Sequence, residues 1–60
     1  MKRYKINKQT GKTKNWKYGG IADNYDSIIE EFETENGAFG VYGLRITDTE
    51  TNIIIYQKEI

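Results

Sequence analysis

Cysteine and histidine are both absent from the chain. Without cysteine there is no disulfide framework and no thiolate zinc site. Without histidine, the commonest imidazole metal ligand and the commonest acid/base group near neutral pH are missing too. Ser27 has no imidazole to activate it, which excludes a serine-type triad. No apolar run approaches the roughly 20 residues that span a bilayer, and the N-terminus has no signal-peptide apolar core. The expectation is a cytoplasmic protein with no membrane partner.

Sixty residues make a single small domain, 1–60. A chain this short buries only about 60% of its unfolded surface, so its core needs help. With disulfides and thiolate metal sites excluded, self-association is the helper left open, and a homodimer or higher homo-oligomer is expected. Eight aromatics and many isoleucines make the chain too apolar to remain disordered.

Nine basic and nine acidic residues cancel, but not locally. Residues 1–20 carry seven Lys/Arg and no acid, whereas residues 21–40 carry six Asp/Glu and no base. Either each block faces a partner, or the two neutralise each other within the fold.

The first twenty residues alternate as a β-hairpin. Gly11 suits the left-handed position of a three-residue loop. That register sets Lys8 against Lys12, Ile6 against Lys14, Tyr4 against Trp16 and Lys2 against Tyr18. Tyr4, Ile6, Trp16 and Tyr18 then share the core side, and Arg3, Lys5, Asn7, Thr13, Asn15 and Lys17 the outer side. Gly19-Gly20 is expected to break the strand.

A helix follows, with Asp23 or Asn24 as N-cap and Asp26 in the first turn. Tyr25, Ile28, Ile29 and Phe32 recur at i, i+3, i+4 and i+7 as an apolar stripe. Asn36-Gly37 supplies a left-handed stop. Away from the stripe stand Asp26, Glu30, Glu31, Glu33, Thr34 and Glu35, with no lysine to offset them.

The last third returns to strands. "FGVYGLRIT" and "NIIIYQKEI" flank a four-residue loop with Asn52 left-handed and Asp48 bonding the turn. Pairing Asp48 with Ile53 sets Ile46 against Ile55 and Leu44 against Gln57. Tyr42, Leu44, Ile46, Ile53 and Ile55 then face the helix, and Val41, Arg45, Thr47, Ile54, Tyr56 and Lys58 the other side. Gly40 and Gly43 mark bulges or a close backbone approach. The expected fold is α+β: ββαββ, two hairpins in a mostly antiparallel four-stranded sheet with one amphipathic helix on one face. The strand order is left open. Val41, Ile54 and Tyr56 on the uncovered face are the candidate self-association residues.

Several chemistries fail on spacing. Thr10-Gly11-Lys12-Thr13 looks like the end of a phosphate loop, but the position five before Gly11 is Ile6, and a strand follows instead of a helix. The helix carboxylates have no cleft to shift their pKa values. Asp48, Glu50 and Asn52 have calcium-loop spacing, but Ile53 stands where the loop needs glycine. No enzyme, cofactor or metal is expected.

Binding remains. Arg3, Lys5, Lys8, Lys12, Lys14 and Lys17 could track a nucleic-acid backbone, although in this register the hairpin's aromatics point inward and none is free to stack on bases. Asp26, Glu30, Glu31, Glu33 and Glu35 could instead dock on a basic protein surface.

The Lys/Ile/Asn-rich composition, W-x-Y at a hairpin end, "YGLRITDTETN" and the closing "IIIY" resemble small accessory proteins of phages and mobile elements in AT-rich bacteria. The resemblance implies a stoichiometric inhibitor or modulator of host or anti-phage defence machinery, and it transfers no site residues. The primary expectation is therefore a non-catalytic protein-binding module using the acidic helix. A nucleic-acid-binding protein using the basic hairpin is the alternative, and an oligomer that sequesters a small ligand is the weaker one.

Overall fold

A computed structural model describes residues 3–11, 15–35, 37 and 40–60. Lys2, Lys12, Thr13, Lys14 and Asn36, all named above, lie outside these residues, as do the two expected hairpin pairs that need Lys12 and Lys14. The order is ββαββ: β1 (Tyr4–Thr10), β2 (Trp16–Ala22), α1 (Asp26–Glu35), β3 (Val41–Asp48) and β4 (Ile53–Glu59). The sheet order is β2-β1-β3-β4, antiparallel throughout, so this is an α+β fold with β2 and β4 at the edges.

The local signals around the helix act as expected. Asn24 Oδ1 accepts from the Asp26 N–H at 2.9 Å, which satisfies one orphan donor at the helix start. Gly37, at φ 87, ends the helix in the left-handed region where a side chain would be strained. The stripe of Tyr25, Ile28, Ile29 and Phe32 packs on the sheet. Phe32, Ile6, Leu44 and Ile46 form the buried core, and the Tyr25 and Tyr4 rings meet edge-on at 4.7 Å. In the β3–β4 turn, Asn52 has φ 61, and Asp48 Oδ1 accepts from the Glu50 N–H.

The strand registers depart from simple alternation. Each of the three pairings contains one shift: between Ile6 and Asn7 for β1–β2, Gln9 and Thr10 for β1–β3, and Ile46 and Thr47 for β3–β4. These shifts skip Gly19 in the β1–β2 pairing, Tyr42 in β1–β3 and Ile55 in β3–β4. A bulge of one residue reverses the facing of every side chain beyond it.

Four expectations are corrected. Gly19-Gly20 does not end β2, because the pair forms the bulge inside it, with Gly20 at φ 115. A Cβ on Gly19 would sit 3.3 Å from the Ile6 carbonyl oxygen, so a glycine fits where the strands press together. Gln9 and Thr10, expected in the turn, belong to β1, so Trp16 pairs with Gln9 instead of Tyr4, and Tyr18 with Asn7. Ile46 pairs with Tyr56 instead of Ile55, and Leu44 with Lys58 instead of Gln57. Ile53 keeps its expected pairing with Asp48 on the helix side but is 61% exposed, and Ile55, displaced by the bulge, is 43% exposed.

Candidate functional site

The registers line residues up in rows across all four strands, and adjacent rows point to opposite faces. On the helix side the rows are Lys17–Lys8–Leu44–Lys58, Gly20–Ile6–Ile46–Tyr56 and Ala22–Tyr4–Asp48–Ile53. On the open side they are Trp16–Gln9–Gly43–Glu59, Tyr18–Asn7–Arg45–Gln57 and Ile21–Lys5–Thr47–Ile54.

These rows redistribute the expected site residues. Of Val41, Ile54 and Tyr56, assigned to the uncovered face, only Ile54 is there. Val41 and Tyr56 pack against the core from the helix side. The bulges that omit Tyr42 and Ile55 from pairing are the cause. The basic hairpin divides in the same way. Lys5 is on the open face and Arg3 is exposed just before β1, but Lys8 and Lys17 lie on the helix side.

The helix acids do not form one outward face. Asp26 and Glu30 are exposed. Glu33 reaches down one flank, where its Oε1 accepts from the Tyr56 hydroxyl at 3.3 Å. Burial raises the Tyr56 phenol above its ordinary pKa, and Glu33 adds to this by accepting the proton and by repelling the phenolate. Glu31 and Glu35 flank the other side and line a groove with Lys8, Gly19, Gly20 and Ile28. The basic hairpin and the acidic helix thus meet along one side of the molecule.

That groove encloses about 150 Å³. Drug-sized ligands occupy pockets of about 300–1,000 Å³, so it does not favour small-ligand sequestration within one chain. Among the described residues, no group of three acidic, cysteine or histidine side chains converges to hold a metal. Among them also, no helix is long and apolar enough to cross a membrane.

The open face is organised by an aromatic–guanidinium stack that alternation alone concealed. The Arg45 guanidinium lies 4.2 Å from the centroid of the Trp16 ring. Trp16 reaches over Gly43, where a Cβ would be 3.0 Å from its ring and 2.8 Å from the Gln9 Cβ. Gly43 is the close approach that its sequence position suggested, and it gives the indole room to lie on the sheet. Arg45 Nε also donates to Gln57 Oε1 at 2.9 Å, and Gln9 Nε2 donates to Glu59 Oε1 at 3.2 Å. Tyr18 stands beside them, 65% exposed. Arg45 was legible in the sequence only as one outward-facing residue, because its partner Trp16 was placed in the core.

No protein-family model, curated protein or solved structure matches the chain.

Proposed function

We propose that this is a non-catalytic binding protein whose working surface is the open face of the sheet, and that its ligand is single-stranded nucleic acid. The observation that supports this reading is the Arg45–Trp16 stack with Tyr18 in the adjoining row. Unpaired bases stack on aromatic rings and on guanidinium planes, and their edges hydrogen-bond to amides. Here Asn7 and Gln57 supply amides beside the stack, and Lys5 and Arg3 supply cations for phosphates. Across four strands, three spacings of about 4.8 Å give roughly 14 Å, room for two or three bases. Too few cations face this side to hold a duplex by its phosphates alone.

Trp16 provides the test. Adding a 12-nucleotide oligo(dT) or oligo(U) at low salt should quench its fluorescence. The logarithm of the affinity should fall with the logarithm of salt at about 0.7 per phosphate contacted. An unchanged Trp16 signal at every oligonucleotide concentration would sink the proposal.

A second reading keeps the protein as a modulator of host or defence machinery, docking its acidic helix on a basic protein surface. It is favoured by the exposure of Asp26 and Glu30 and by the lack of any base in the helix's last turn. Lysine substitutions at Glu30, Glu31 and Glu33 should then abolish capture of a protein from nuclease-treated host lysate. Under the first reading they leave oligonucleotide binding intact.

A further inference from the structure

We infer that the protein forms a twofold homodimer by antiparallel pairing of the free edge of β4 with β4 of a second copy, independently of what the open face binds. β4 pairs with β3 along one side only, so its other side presents unmatched backbone N–H and C=O groups. Its sequence, IIIYQKE, places five residues without charge or proline at the start of that edge. Protective edges usually carry lysine or proline, and this one begins with three isoleucines. Ile53, Ile54 and Ile55 are exposed by 61%, 49% and 43%, and Ile60 just beyond the strand by 53%. Among the described residues, no other stretch places three exposed large aliphatic side chains in succession.

Charge selects a second copy as the occupant. A twofold contact sets a surface against itself, so any surface dominated by one sign repels its own copy. The acidic helix carries that penalty, and so does the open face around Lys5 and Arg45. β4 carries Lys58 and Glu59 together at its end and is neutral overall. It can meet itself without net repulsion. Alternation along β4 directs Ile53 and Ile54 to opposite sides of the sheet, so a partner strand would cover apolar groups above and below the joint.

The core supplies the need. Only Ile6, Phe32, Leu44 and Ile46 are buried apolar residues among those described. A domain of this size with so few, and with no disulfide, falls where self-association normally completes the fold. Continuous antiparallel pairing would produce an eight-stranded sheet with both helices on one side and both open faces on the other.

Sedimentation equilibrium of the wild-type chain across micromolar to millimolar concentration should reach twice the monomer mass. The double variant Ile54→Lys/Ile55→Lys should remain monomeric at concentrations at least tenfold higher, with unchanged far-UV circular dichroism. Tyr18→Lys/Ile21→Lys, on the opposite edge, should dimerise like wild type. Because the β4 variant could lose its fold, hydrogen exchange of the wild-type protein gives a second measurement. Amides of β4 should exchange more slowly at high concentration than at low, while those of β2 do not change. A monomer at all concentrations overturns the inference and leaves the edge to a strand from a different protein. Concentration-dependent protection in β2 instead of β4, or dimerisation lost only in the Tyr18/Ile21 variant, overturns it as well.

Discussion

The two faces of this sheet are built from the same strands by opposite rules. From β3, Leu44 and Ile46 go to the covered face and are fully buried, while Gly43, Arg45 and Thr47 go to the open one. The covered face is held by apolar packing under Phe32 and the helix stripe. The open face is held by a cation–π stack and side-chain hydrogen bonds that leave polar groups within reach of a ligand. Losing a group from the first removes stability. A change on the second alters recognition and removes less stability.

The largest expected effect lies on the covered side. Leu44→Ala should cost about 2–5 kcal/mol. A core this small rarely supplies more than about 3–5 kcal/mol in total, so the variant should be largely unfolded by circular dichroism at 25 °C. Gly43→Ala tests the closest packing on the open side. Its new methyl meets Gln9 and Trp16 at 3.0 Å or less, so it should cost about 1–3 kcal/mol. Trp16 should move off the sheet, giving red-shifted fluorescence in a still-folded protein.

Arg45→Gln separates recognition from stability more sharply. An exposed cation–π contact is worth about 0.5–1 kcal/mol, so the urea midpoint should fall only slightly. Oligonucleotide affinity should fall at least tenfold, and equal affinity would mean the stack is structural only. The smallest effect belongs to Tyr56→Phe. The Tyr56 phenol is raised in the folded state, so its contribution to stability is constant below its unfolded value of about 10. It is lost as pH rises through the folded value. Wild type and variant should therefore have nearly equal urea midpoints at pH 8, and the wild type should fall below the variant as pH rises above the unfolded value.

Much of this fold is legible because its signals are local. The stripe at Tyr25, Ile28, Ile29 and Phe32 marks the helix. Asn24 and Gly37 mark its ends through backbone groups a few residues away, and Asp48 and Asn52 fix a turn whose hydrogen bonds close within the turn itself. Leu44 and Ile46 read as core because they lie on the same side of any bulge from the helix's viewpoint. Of the misplaced residues, Val41 and Tyr56 lie beyond a bulge, whereas Trp16 and Tyr18 precede the one in β2 and are displaced because β1 runs on to Thr10, which moves their partners to Gln9 and Asn7. Alternation alone carried them to the wrong face, and with them went the expectation that no aromatic was free to stack.

By itself, the sequence determined the element order, the helix with its caps, the second turn and the α+β class, because each rests on contacts between near neighbours in the chain. Only the tertiary structure decided the strand order, the three bulges and therefore which face each side chain occupies. A bulge forms where two strands distant in sequence find their best mutual fit, as where Gly19 lets β2 close on Ile6. That fit is a property of the pair, and neither strand's own pattern contains it.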